Sequence, residues 1–402
     1  MSTLKKSSCN VITGVTGMSP WGLLRENRMK IIQITDHTGG GGVNSFVYDL
    51  CFEQAKLGCE VYFIGIIDAG AKTAIRELDK LRLAGVHVIC LGAKSKRDAL
   101  VSAIPKLRKA IIDISSGYRC ICNLHLKLSV LLGVIATRGI RNVRCVETYH
   151  NSYHHYELQY ALCYPFIKHY IAISKTCGAE MKRRFHTPKN KVSVIPNGID
   201  REKTRSMVNE DIQHGHDGVR LISIGRLSYE KNFITAIVAL SELCSEELRY
   251  CMVGDGPQFN EAIRASKQNR YIEFTGWISR NRAIEMMAAS DAVVIPSLWE
   301  GRSILQLEAL ALDKPLIMSD VPGLREVFGE EALDASEVFR RTKWGYLVRT
   351  NDIASYQSAI QDFCTWDTGD LWNAQKYIRE VSEQNDINVV AEKYNTEYEK
   401  LF

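Results

Sequence analysis

No stretch of this 402-residue sequence strings together the roughly 20 apolar residues that a membrane-spanning helix needs. No secretory apolar core follows the N-terminus either, so the expected location is the cytoplasm, at most peripheral on the inner face of the plasma membrane. A Gly-x-Gly-x-x-Gly turn followed by a ribose-binding acid is also missing, which argues against a nicotinamide site. Twelve cysteines are present, but the only close pairs, Cys120 with Cys122 and Cys51 with Cys59, have no second pair behind them. No metal site is expected from such spacing, and the thiols read as reduced core residues. No nucleic-acid-binding motif accompanies the basic segments, so nucleic acid is not an expected partner.

What is present divides in two. At about 150 residues per domain the length predicts two to three domains, and 46% hydrophobic content supplies their cores. Residues 1–200 hold 28 Lys and Arg against 14 Asp and Glu, for +14; residues 201–402 hold 23 against 32, for −9, which together give the chain's +5. A basic first half suits an anionic partner, such as a phospholipid surface or a phosphate-bearing acceptor. The boundaries read as an N-terminal extension over 1–28, with Met29 a candidate start, a first domain over 29–198, a second over 199–384, and a final helix over 385–402.

The most informative stretch runs from Ser290 to Ser319. Ala292–Ile295 and Leu316–Met318 have strand length and β-branched content. Between them Ser303, with Gln306 three residues on, reads as a capping box, and Ile304, Leu307, Leu310 and Ala311 give the helix an apolar face. A helix entered from the carboxyl end of a parallel strand offers free N–H groups and a positive dipole end, here at Ser303 and Ile304, which suits a phosphate. Glu300 precedes that cap and Glu308 lies about 7.5 Å further along the axis. Carboxylates accept hydrogen bonds from paired hydroxyls, so the two could hold two sugars on either side of a diphosphate. A lone glutamate is more often a surface residue, and the pair gains meaning only from its placement.

Other pieces stand in comparable places. The strand starting at Met29 leads into Gly39, Gly40, Gly41 and Gly42, a turn without any Cβ, before a helix. His150 follows the Val143–Glu147 strand directly, where ligand-binding loops of such sheets lie, and His154 and His155 are weaker candidates. Arg226 and Lys231 sit in the turn between the Arg220–Gly225 strand and the next helix, where two cations could neutralise a diphosphate. Gly254 lies in a glycine turn after another strand. Trp277 and Ile278 lie in a loop after Phe274, with Trp277 open to a packing role as well. The Lys94–Ile112 segment interleaves basic and apolar positions, the pattern of a membrane-surface helix or of a solvated domain helix.

The Glu-Gly of Glu300 and Gly301, the second Glu eight positions on, Ala309-Leu310-Ala311 and the Lys314-Pro315-Leu316-Ile317 strand together resemble the signature of retaining glycosyltransferases of family 4. Gly225-Arg226 followed by Glu230-Lys231-Asn232 is similar to a second motif of that family. Arg302 departs from it, standing where many members carry a small or apolar residue. The resemblance spans about residues 29–402 and implies an α/β fold of the GT-B type, two Rossmann-like doubly wound domains facing across a cleft.

It further implies a nucleotide-diphosphate sugar, UDP above others, as donor and no metal. A lipid-linked or polysaccharide acceptor, as in bacterial surface polysaccharide, lipopolysaccharide or glycolipid assembly, would be the other substrate. The implied roles are Glu300 on the donor sugar, Glu308 on ribose, Arg226 and Lys231 on the diphosphate, Gly40, Gly41 and Gly42 near the ligand, Trp277 and Ile278 by the base, and His150 across the cleft. A sugar-nucleotide epimerase or phosphorylase of the same fold, or a non-catalytic sugar-nucleotide-binding subunit, is the alternative.

Overall fold

The computed structural model describes residues 29–39, 41–68, 70, 72–150, 157–209 and 218–402. The expected extension over 1–28, Gly40, His154 and His155 lie outside the described residues. Two seven-stranded sheets carry the chain. The first contains β1 (Lys30–His37), β2 (Glu60–Ile67), β3 (His87–Ala93), β4 (Cys120–Leu124), β5 (Val143–Tyr149), β6 (Ile167–Ala172) and β7 (Val192–Val194), in the order 3-2-1-4-5-6-7 and parallel throughout.

The second contains β8 (Val219–Ile224), β9 (Leu248–Val253), β10 (Ile272–Gly276), β11 (Ala292–Ile295), β12 (Leu316–Ser319), β13 (Phe339–Thr342) and β14 (Gly345–Val348), ordered 10-9-8-11-12-14-13. Only β13 runs antiparallel, against β14. Each is a doubly wound sheet, and together they make the α/β GT-B architecture.

The strands explain why both faces are covered. In β1, Ile31 packs on one side with Val61 and Phe63, while Ile32 and Ile34 pack on the other with Ile64 and Ile66. Alternate side chains point to opposite faces, so a strand apolar on both needs helices on both. On one face of the first sheet a covering helix comes from the far end of the chain. The last helix, Ile387–Glu399, buries Ile387, Val390, Tyr394 and Tyr398 against Phe46, Val47, Ile121 and Ile171. Gly198 makes this return tight, since a Cβ there would lie 3.0 Å from the Ile387 Cα and 3.1 Å from the Asn385 carbonyl oxygen.

In such sheets ligands bind beyond the carboxyl ends of strands, where the order reverses. Here that is between β1 and β4 in the first sheet and between β8 and β11 in the second. The glycine turn follows β1, the turn bearing Arg226 and Lys231 follows β8, and the Glu300 loop follows β11.

The basic Lys94–Ile112 segment forms the helix Lys96–Ser115, with Ala99, Ala103, Leu107 and Ile111 buried. Part of its charge is used internally. Arg108 Nη1 donates to the carbonyls of Ala136 and Arg138 at 2.9 and 2.8 Å, and Lys106 Nζ to that of Leu91 at 3.2 Å.

Candidate active site

The helix Ile304–Ala311 starts where its sequence predicts, with Ser303 Oγ accepting from the Gln306 N–H at 3.4 Å. The capping box is only half formed. Gln306 is fully buried and sends its amide to the Leu324 carbonyl at 2.9 Å instead of back to Ser303, because a glutamine inside the core must satisfy its own N–H groups there. Leu307, Leu310 and Ala311 are buried as expected. Ile304 is half-buried and reaches across to the first half of the chain. A Cβ on Gly42 would come within 2.9 Å of Ile304 Cγ1, so the glycine turn makes room for a side chain of the opposite half. In this structure its close approach serves packing between the halves.

Between the two sheets lies a cleft of about 1150 Å³. Gly41, Gly42 and His150 line it from the first half, and Lys231, Glu300, Ser303, Ile304 and Glu308 from the second. Eight of the residues singled out from the sequence therefore converge. Arg226 is exposed at the same β8 turn and does not line the cleft, and neither do Gly254, Trp277 and Ile278. Gly254, at φ 136°, packs on Gly225, where a Cβ would meet the Gly225 carbonyl at 2.0 Å. Trp277 is 75% exposed, and Ile278 packs beside the core of the second sheet.

Lys231 Nζ lies 2.6 Å from Glu300 Oε1, which also accepts from Ser297 Oγ at 2.9 Å. The pair draws a strongly hydrated ammonium and a carboxylate into one place at the mouth of the helix dipole. Glu308 is buried and paired with Arg280, whose Nε lies 2.9 Å away. Burial pushes the Glu308 carboxyl above its ordinary range, against the opposing pull of Arg280. Arg280 lines the same cleft and escaped the sequence reading. Its only signal was its place at the first position of a helix capped by Ser279, directly after the β10 loop.

Arg302 also lines the cleft. Only 7% exposed, it donates through Nη2 to Asn385 Oδ1 and has no carboxylate within ion-pair distance among the described residues. Burial pulls its guanidinium down to about 10. Nearby, the Glu326 carboxylate accepts from the backbone N–H groups of Lys175 and Thr176 at the start of the helix Lys175–Phe185. That contact ties the second half to a helix N-terminus of the first, where a negative charge is favoured.

On the opposite wall His150 is 5% exposed, with the Phe46 ring against it edge-on at 5.9 Å. Its Nε2 lies 3.0 Å from Nδ1 of a second buried histidine, His125, which follows β4. Burial holds His150 neutral, down to about 3. His125 also escaped the sequence reading, since a histidine at the end of an apolar strand carries no signal until its neighbours are known.

Residues 208–379 match the family described as Glycosyl transferases group 1, and residues 40–203 match Glycosyltransferase Family 4. Over 185 residues the chain is 31% identical to the Escherichia coli UDP-Gal:alpha-D-GlcNAc-diphosphoundecaprenol alpha-1,3-galactosyltransferase, covering 42% of this chain and 44% of that protein. Over 235 residues it is 27% identical to the alpha-monoglucosyldiacylglycerol synthase of Streptococcus pneumoniae, covering 51% and 52%. The chain thus matches about half the length of these relatives. Among solved structures, a glycosyltransferase from Rickettsia africae aligns with a TM-score of 0.72 at 19% identity over 94% of this chain and 99% of that one. The Anabaena HepE protein, solved with UDP and glucose, aligns with a TM-score of 0.72 at 17% identity over 92% and 99%. With both halves matched and the two-sheet cleft in place, the chain belongs to the group 1, family 4 glycosyltransferases and has their GT-B fold.

Proposed function

We propose that this protein transfers a sugar, with retention of anomeric configuration, from a nucleotide-diphosphate sugar, UDP being the favoured nucleotide, to an acceptor hydroxyl. The observation that carries this reading is the convergence in one cleft of Lys231, Glu300, Glu308 and the Ser303–Ile304 helix end from one sheet with His150 from the other. The helix end receives the diphosphate, and Lys231, with Arg226 swinging in from the adjacent turn, balances the charge that grows as it leaves. Glu300 is then released from Lys231 to hold hydroxyls of the transferred sugar. Arg280 keeps Glu308 oriented toward the ribose.

The acceptor hydroxyl attacks the anomeric carbon on the face from which the diphosphate departs, and a β-phosphate oxygen takes the proton. Contact between the halves at Ile304 and Gly42 keeps water out, so that transfer is favoured over hydrolysis.

One named relative transfers galactose to a diphosphoundecaprenol-linked sugar, and the other is a synthase of monoglucosyldiacylglycerol. With the +14 first half, they favour a lipid-linked acceptor presented at an anionic membrane surface, within polysaccharide or glycolipid assembly. The test is a panel of UDP-, GDP- and ADP-sugars with and without lipid-linked acceptors. Nucleotide release that one acceptor stimulates, and a product of unchanged anomeric configuration by NMR, are expected. A sugar-nucleotide isomerised without acceptor and without net nucleotide release would move the assignment to an epimerase.

A further inference from the structure

His150 stands at the end of a buried chain of side chains that leads away from the cleft. Its Nε2 meets His125 Nδ1 at 3.0 Å; His125 Nε2 meets Gln33 Oε1 at 2.7 Å; Gln33 Nε2 donates to Gln54 Oε1 at 2.8 Å; Gln54 Nε2 donates to Asn395 Oδ1 at 2.8 Å. Asn123 Nδ2 also donates to Gln33 Oε1, at 3.0 Å, and accepts through Oδ1 from Thr148 at 3.0 Å. Gln33, Gln54 and Asn123 are fully buried, and His125 is 2% exposed.

The order of donors follows from the amides. His125 Nε2 has two neighbours, Gln33 Oε1 at 2.7 Å and Asn123 Nδ2 at 3.1 Å; a carbonyl oxygen only accepts, so the shorter contact requires hydrogen on Nε2, and the Asn123 amide gives its hydrogen to Gln33 Oε1 instead. Turning the Gln33 amide alone would set its NH2 against that of Asn123 and its oxygen against that of Gln54. The amides therefore turn only as a unit, and in the orientation of this structure Gln33 presents its oxygen to His125. Buried without a carboxylate partner, His125 is neutral, since burial holds its imidazole well below the usual range. With hydrogen on Nε2, its Nδ1 is a bare lone pair and accepts from His150 Nε2–H. The remaining nitrogen of His150, Nδ1, has no partner among the described residues.

We propose that Gln33 and His125 are positioning residues that hold His150 as its Nε2–H tautomer, leaving Nδ1 as a hydrogen-bond acceptor for a hydroxyl of the substrate in the cleft. His150 then receives a hydrogen bond from the sugar and neither donates one nor carries charge. The inference rests on the reading of the cleft as a sugar site, but the tautomer can be observed without turnover. The chain also ends on Asn395 of the last helix, so the far terminus of the protein shares in setting this nitrogen.

The experiment labels the histidines of the full-length protein with 15N and identifies His150 by the signal lost in His150→Asn. At pH 7 its Nδ1 should show the shift of a bare nitrogen and its Nε2 that of a protonated one. His125→Phe removes the acceptor and should abolish that pattern. The same variant should lower donor-sugar hydrolysis about tenfold with nucleotide affinity unchanged, and His125→Asn, which restores an oxygen near the Nδ1 position, should recover most of it. An Nδ1–H tautomer or an imidazolium in the wild type overturns the proposal, as does His125→Phe with unchanged tautomer and turnover. Absence of donor hydrolysis in the wild type counts against the glycosyl-transfer reading alone, and the spectrum still decides the tautomer.

Discussion

Lys231 and Glu300 hold each other, Nζ to Oε1, at 2.6 Å across 69 positions of sequence. One partner is assigned to the diphosphate and the other to the sugar, so donor binding must exchange this ion pair for two separate contacts. Lys231→Ala and Arg226→Ala should each lower turnover by about 100- to 1000-fold, the effect of losing one contact worth about 2.7–4 kcal/mol to the transition state. Thermal unfolding should move little in Arg226→Ala, whose side chain is exposed. Lys231→Ala should destabilise detectably, because it strips Glu300 to its Ser297 contact, and Glu300→Gln in the same chain should restore the stability but not the turnover. Wild-type turnover in both single variants would remove the diphosphate assignment.

Glu308 and Glu300 separate by ligand. Glu308→Gln should weaken binding of the bare nucleoside diphosphate, because ribose is part of it, and should also leave the half-buried Arg280 without its carboxylate. Glu300→Gln should bind the same nucleotide normally and turn over the intact donor poorly. Calorimetry with UDP distinguishes them, and equal losses of affinity would contradict the two roles.

The buried histidines set an acid limit. An unfolded histidine titrates near 6.5, whereas burial holds His150 neutral to about 3 in the folded chain. The stabilisation is therefore full above about pH 6.5 and is lost as pH falls toward 3, with a slope of up to about 1.4 kcal/mol per pH unit per group. His150→Gln removes one such group. Its midpoint of thermal unfolding should fall less steeply than the wild type's between pH 6.5 and 4, and parallel curves would show that His150 is not buried as described.

Membrane contact is best probed away from Lys106 and Arg108, whose side chains hold carbonyl groups of their own domain. Lys96 and Arg97 are exposed on the first turn of the same helix. With about 1 kcal/mol for each basic residue near an anionic surface, reversing both to glutamate should weaken co-sedimentation with anionic liposomes at least 25-fold and leave donor hydrolysis intact. Wild-type protein that ignores such liposomes at low salt would favour an acceptor free in solution.

The strands that position the site were legible because burial on both faces leaves short, unbroken apolar runs: Ala292–Ile295 reads from the sequence with the bounds it has in the fold. The Ser303 cap was legible for a local reason, a hydroxyl three residues from the N–H it accepts from. The other half of that box was not, since Gln306 answers to Leu324, eighteen residues on. Arg280, His125 and Gln33 were hidden in the same way. Each acquires its place only through partners 28, 25 and 92 positions distant, and a side chain without its partner has no pattern to read.

The last helix carries a consequence for how the protein is made. Tyr394 and Tyr398 fill a face whose other members, Phe46, Ile121 and Ile171, are translated first. That face therefore cannot close until the helix Ile387–Glu399 has been made. Until then the nascent first sheet shows an apolar surface, and the Gln54 Nε2 that will donate to Asn395 has no such partner. A chain truncated before residue 387 should be retained by chaperones and cut by proteases, while one that carries the helix Ile387–Glu399 should resist both.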